Sequence, residues 1–141
     1  MQRVVDASVV AKWFLPEAHK DKAEKLLQDF IDEQVELTAP DLLIAEFGNL
    51  LWKRANKIKD ISVAQADQMF EDFLALRVPL RDSAGFAGTA LKNASSKDHA
   101  IYDMLYITLA EQDACEFITA DEKLVRKFKK TFPCLRWIGD L

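Results

Sequence analysis

With 141 residues, 50% of them hydrophobic, the chain can build one well-buried core and is too short for two, so a single domain over residues 1–141 is expected. A formal charge of −4 excludes a non-specific nucleic-acid coat, which needs a broad basic surface, so any nucleic acid must be held locally. Charges such as Glu46 within LLIAEFGNLLW interrupt the apolar stretches, and nothing resembles a membrane span of ~20 lipid-facing residues.

The opening MQRVVDASVV goes straight into a short apolar run, Arg3–Asp6, whose adjacent Val4 and Val5 suit a strand buried on both faces. It lacks the longer apolar region and small-residue cleavage site of a secretion signal, so a cytoplasmic location is expected. Ser8 to Phe14 reads as a helix interrupted at Pro16. A second, amphipathic helix runs from about His19 to Gln34, with Ala23, Leu26, Leu27, Phe30 and Ile31 at helical spacing. Val35–Thr38 is a short second strand. Pro40 suits a helix start and Asp41 its first turn, and Leu42 through Asn56 forms the most apolar helix.

Ser62 looks like the cap of a helix through Leu76, whose Ala66, Met69, Phe70, Phe73 and Leu74 make one face. Arg77–Leu80 reads as a third strand, placed near an edge by Pro79. Two helices follow, Gly85 to Asn93 and His99 to Glu111, separated by a polar joint at Ser95–Asp98. Glu116–Thr119 is a fourth strand, Glu122–Lys130 a helix and Leu135–Ile138 a last strand after Pro133. Strands alternating with helices imply an α/β fold, a mostly parallel sheet covered on both faces, because parallel neighbours need crossover connections. Cys115 and Cys134 have no CxxC spacing and are expected to stay reduced. With only His19 and His99 available, a closed zinc site of the His/Cys type lacks ligands, whereas Asp and Glu together number 23.

In an open parallel sheet, ligands bind beyond the carboxyl ends of the strands, where strand order reverses. Asp6 closes the first strand and Asp121 sits two residues past Thr119 at the end of the fourth, so both should enter one crevice, although each is equally suited to cap the helix that follows. Glu46 lies mid-helix among Leu42, Leu43 and Leu50 and needs a partner, for which Lys53, Arg54 or water are the ordinary candidates. Asp103 is flanked by Ile101, Tyr102, Met104 and Leu105, close to apolar surface, and also lies near a helix start where the macrodipole favours negative charge. Four carboxylates meeting without a cation would repel one another and lose solvation, so a cluster of Asp6, Glu46, Asp103 and Asp121 implies a bound metal. Oxygen ligands select a hard ion, Mg²⁺ with Mn²⁺ able to replace it, whose chemistry suits phosphodiester hydrolysis. Ser8, Asn49 and Thr119 stand next to these positions and can orient the ligands. Basic residues cluster at Lys53, Arg54, Lys57 and Lys59, and again at Lys123, Arg126, Lys127, Lys129 and Lys130. From the second group Lys127 and Lys130 are the candidates for phosphate contact, against a merely solvated helix face.

The segments VVDASVVAKWF, PDLLIAEFGNLLWK and IYDMLYITLAEQDACEFITADEKLVRKF together resemble the PIN domain, and within it the VapC-type toxins of toxin–antitoxin pairs. The resemblance covers the chain in order and with similar spacing. It implies a three-layer α/β/α sandwich, Mg²⁺- or Mn²⁺-dependent endoribonuclease activity, frequent homodimerisation and a cognate antitoxin whose C-terminal segment occupies the active-site groove. By motif, Asp6, Glu46, Asp103 and Asp121 correspond to the family's four acidic residues, Thr119 to the hydroxyl residue accompanying the last, and Asn49 to the polar residue one turn after the second.

Three other readings are weighed. A haloacid-dehalogenase-type phosphatase needs a second Asp two residues after the first, where this chain has Ser8. A phospho-receiver module needs paired acids at the first strand end, and only Asp6 is there. A PIN-like protein that binds RNA or a partner without cutting is opposed by the complete acidic set. Leftover apolar helix surface at Trp52, Met69, Phe70 and Phe73 also leads to an expected homodimer.

Overall fold

The computed structural model describes residues 1–141. Five parallel strands, β1 (Gln2–Val5), β2 (Glu36–Pro40), β3 (Leu80–Arg81), β4 (Glu116–Thr119) and β5 (Leu135–Trp137), lie in the order β3-β2-β1-β4-β5. Seven helices connect them: α1 (Ala7–Phe14), α2 (Lys20–Ile31), α3 (Leu42–Lys53), α4 (Val63–Ala75), α5 (Ala87–Lys97), α6 (Ile101–Gln112) and α7 (Glu122–Phe128). The chain steps from β1 to β2 to β3 through α1–α4, then crosses back to β4 and β5 through α5–α7. Right-handed crossovers in opposite directions place the two helix sets on opposite faces, giving the α/β/α sandwich. The strand order therefore reverses between β1 and β4, and a crevice opens at their carboxyl ends.

Val4 and Val5 are fully buried, as expected of a strand covered on both sides. Helix α6 packs against β1, β2 and β4 and is buried around its whole circumference from Met104 to Ala110. On the opposite face α1 and α3 pack together, and Phe47 of α3 sits against Phe14, Phe70 and Phe73, joining α1, α3 and α4. Each such fully enclosed aromatic or aliphatic side chain contributes ~1.5–3 kcal/mol, so the core holds the elements that carry the site rigidly.

Several element boundaries differ from the sequence expectation. Pro40 ends β2 and does not start a helix: Ala39 and Asp41, on either side of it, donate to Pro79 and Arg81, while pairing with β1 has already finished at Thr38. Its missing N–H thus falls outside both ladders. The third strand is only Leu80–Arg81, because Arg77 turns left-handed (φ 52°) to close α4; it is the edge strand, as Pro79 implied. Helix α5 continues through Ser95 and Ser96, which lie on its exposed side, until Asp98 adopts φ 48°. The polar joint is therefore Asp98–Ala100, and Asp98 closes α5 without capping α6. Helix α7 ends at Phe128, short of Lys130. A π-helical turn, Arg54–Ile58, extends α3. Ser62 does cap α4, with Gln65 completing a capping box.

Candidate functional site

β1 delivers Asp6 to the sheet's carboxyl edge beside β4, which delivers Thr119 and then Asp121. Asp6 caps α1: its Oδ1 accepts from the backbone N–H groups of Ser8 at 3.1 Å and Val9 at 3.2 Å and from the Ser8 hydroxyl at 2.5 Å. Its Oδ2 accepts from the Thr119 hydroxyl at 2.6 Å. Each hydroxyl is used twice, since Ser8 Oγ also accepts from Ala120 N–H at 2.9 Å and Thr119 Oγ1 from Asp121 N–H at 3.1 Å. These bonds join the ends of two strands that are far apart in sequence. Asp121 caps α7 by accepting from Leu124 N–H at 3.1 Å, and its side chain is otherwise open to solvent. The capping reading thus holds for both residues, and for Asp6 it is only part of the bonding.

Glu46 projects from the second turn of α3, and its partner is neither Lys53 nor Arg54. Arg54 instead pairs with Glu17 and Asp60. The Tyr106 hydroxyl of α6 donates to Glu46 Oε1 at 2.5 Å, and the Tyr106 ring stacks on Phe117 of β4 with centroids 5.4 Å apart. Asp103 lies in the first turn of α6, one turn before Tyr106, and its Oδ2 is 2.7 Å from His99 Nε2. Lys127 of α7 reaches the other imidazole nitrogen, Nδ1, at 3.2 Å. Asp6 and Glu46 are thus each held by a donor distant in sequence, Thr119 and Tyr106, whereas Asp103 is paired with His99 one turn before it.

Electrostatics tie these groups together. Burial pushes Asp6 up to about 6 from an ordinary value near 3.8, against the lowering effect of its bonds from Ser8, Thr119 and Val9, and the Glu46 charge adds to the rise. The carboxylate is enclosed by protein although the residue as a whole still touches solvent. Glu46 is raised by burial as well, offset by the Tyr106 bond and reinforced by the charge of Asp103. The Tyr106 phenol is pushed far above its usual range by burial, then by its bond to Glu46 and the nearby acids, so it remains a donor. Asp6, Glu46 and Asp103 thus form one repelling set. Glu46 Oε2 and Asp103 Oδ1 accept no hydrogen bond from the protein, so oxygens remain for a hard cation or for water. No three His, Cys, Asp or Glu side chains are spaced to hold one metal ion together.

The accompanying residues divide. Ser8 and Thr119 bond directly to Asp6, whereas Asn49 is exposed on α3 and its side chain makes no hydrogen bond. Lys127 sits at His99, and Lys130 lies past α7 in a hollow lined also by Glu122, Arg126, Trp137 and Asp140. Tyr106 and His99 escaped the sequence reading. Their only signal was spacing, Tyr106 three residues after Asp103 and His99 four before it, each able to share a helix face with that acid.

The PIN domain profile matches residues 3–130. The chain is 31% identical over 131 residues to Ribonuclease VapC3 of Pyrobaculum aerophilum, covering 91% of this chain and 95% of that one. A crystal structure of a protein from Pyrobaculum aerophilum superposes with a TM-score of 0.70 at 26% identity, covering 99% of this chain and 94% of that one. VapBC2 from Rickettsia felis, crystallised bound to a DNA fragment from its promoter, shares the fold with a TM-score of 0.65 at 17% identity, covering 97% of each chain. A profile that spans nearly the whole sequence, and a relative above 30% identity over nearly its full length, show that the chain belongs to the PIN domain family.

Proposed function

We propose that this protein is a metal-dependent endoribonuclease, the toxin of a toxin–antitoxin pair, cutting RNA phosphodiester bonds at Asp6, Glu46, Asp103 and Asp121. The observation that carries the reading is the pairing of Asp6 with Glu46, two acids that burial and mutual repulsion push above the ordinary carboxylate range, with the charge of Asp103 adding to the rise at Glu46. The similarity to a protein named as a ribonuclease supports the same conclusion.

The donor set is carboxylate oxygen alone, which fits Mg²⁺ with Mn²⁺ as a substitute. As they stand the acids do not converge on one ion; Asp6, Glu46 and Asp103 would hold it by drawing together, with Asp121 at the rim, and the bound ion would polarise a phosphoryl oxygen and acidify water at the site. The chain's own contribution is positional. Ser8 and Thr119 fix both oxygens of Asp6, and Tyr106 fixes one oxygen of Glu46 and leaves the other free. Lys127 and Lys130 would supply local positive charge for phosphates on an otherwise acidic chain.

The proposed partners are RNA, a cognate antitoxin and a second copy of the chain, with residues 1–141 acting as one domain in the cytoplasm. No helix is long and apolar enough to cross a membrane. Cleavage of single-stranded RNA in Mg²⁺ or Mn²⁺, abolished by chelator, is the expected result. A second reading, RNA or partner binding without cleavage, is favoured by the absence of three acids spaced for one ion. Retained RNA binding with no cleavage in either ion would select it.

A further inference from the structure

His99 stands outside the acidic set and precedes α6, yet it touches three residues on two helices, α6 and α7. Its Nε2 lies 2.7 Å from Asp103 Oδ2, its Nδ1 lies 3.2 Å from Lys127 Nζ, and its ring meets Phe128 edge-on at 4.9 Å. The Lys127 ammonium also lies over the Phe128 ring at 4.9 Å, so the same aromatic side chain seats both groups.

The hydrogen-bonding capacities of these groups leave one arrangement. A lysine ammonium has donors and no acceptor, so the nitrogen facing it must present a lone pair. Nδ1 is then unprotonated, and the proton of the neutral ring sits on Nε2, where it donates to Asp103 Oδ2. The second carboxylate oxygen, Oδ1, accepts nothing from the protein and stays free to take a ligand. Orientation of this kind, by a residue behind a ligating group, is how outer partners set ligand geometry.

We propose that His99 is a positioning residue for Asp103, held in a single tautomer by Lys127. This deepens the ribonuclease reading and rests on it for the kinetic half of the test only. It also gives Lys127 a defined task at the site, that of orienting the imidazole.

The test has two independent arms. Long-range proton–nitrogen correlation spectra of the protein should show His99 protonated on Nε2 and bare on Nδ1. Lys127→Met, which keeps the aliphatic stem over Phe128 and removes the donor, should yield a mixture of tautomers. In RNA cleavage, His99→Ala should lower kcat about tenfold or more with KM changed less than about twofold, because a mispositioned ligand acts on the chemical step. His99→Gln, whose amide can still donate to Asp103, should restore most of that loss, and it replaces the alanine variant if the latter does not fold. A proton on Nδ1, a tautomer indifferent to Lys127→Met, or wild-type kcat in both His99 variants would each overturn the proposal. If the wild-type protein cuts no RNA, that result counts against the ribonuclease reading, and the tautomer spectra alone decide the role of His99.

Discussion

The hydroxyl of Tyr106 and the carboxylate of Glu46 are 2.5 Å apart, joining the central helix α6 to α3 across 60 residues of sequence. The bond makes an acid in an apolar helix tolerable, because a buried charge needs a donor. Tyr106→Phe keeps the stack on Phe117 and removes only that donor. It should cost about 1–2 kcal/mol in urea denaturation, raise the Glu46 pKa further and lower RNA cleavage about tenfold. Unchanged stability together with unchanged cleavage would mean that Glu46 is satisfied by water.

Thr119 is fully buried and serves Asp6 and Asp121 at once. Thr119→Val conserves shape but strands an acceptor on Asp6 and a donor at Asp121, so a loss on the order of 1–3 kcal/mol is expected. The Asp6 pKa should rise as well, since the lost bond favoured its charged form. A variant as stable as the parent, with Asp6 titrating at the same pH, would show that Ser8 alone holds the carboxylate.

Asp6 also gives the fold a pH dependence of definite sign. Its folded-state pKa of about 6 lies above the ordinary 3.8, so between these values the folded protein binds the extra proton. Stability in chelator is therefore greatest below about pH 4 as far as this group is concerned, and is lost as pH rises through about 6, by on the order of 1–3 kcal/mol. Asp6→Asn should flatten that slope, and saturating divalent cation should do the same by favouring the carboxylate. Melting temperatures that follow the same pH curve in the parent and in Asp6→Asn would refute this.

Much of this arrangement was legible in the sequence, and the reasons are specific. Asp6 closes one strand and Asp121 follows another whose apolar runs are unmistakable, so the sheet rule assigned both to one crevice. Glu46 and Asp103 were visible as acids where the pattern called for apolar residues. What holds them was not visible, because nothing in the pattern marks Tyr106 or His99 as a partner of an acid, and only the tertiary fold brings the Tyr106 hydroxyl to Glu46. The third strand was expected at Arg77–Leu80 and begins only at Leu80, because the left-handed turn at Arg77 leaves no trace in composition. The run through Ser95 and Ser96 looked like a joint, although serine on an exposed helix side is merely neutral. The PIN resemblance supplied the family, and the residue bonding did not follow from it.

The surface expected to pair two copies is narrower than the sequence implied. Phe73 belongs to the core at 2% exposure, whereas Trp52 is 47% exposed beside a hollow lined also by Ala55, Val63 and Phe70. A homodimer through this face should appear in sedimentation at micromolar concentration, and Trp52→Glu should return it to monomer. A parent that sediments as a monomer would remove the dimer from the account.

Asp103→Asn provides the most direct test of the carboxylate site, read by melting with and without Mg²⁺ beside one RNA cleavage assay. Without metal the variant should stay within about 1 kcal/mol of the parent, because relief of the repulsion on Glu46 offsets a weaker bond from His99. Mg²⁺ at a hundredfold excess over its dissociation constant should stabilise the parent by about 2.7 kcal/mol and the variant markedly less. Cleavage by the variant should fall by orders of magnitude, since a metal ligand is lost. A variant that gains the same Mg²⁺ stabilisation as the parent and cuts RNA at the parent rate would contradict the assignment of Asp103, and with it the proposed metal-dependent mechanism.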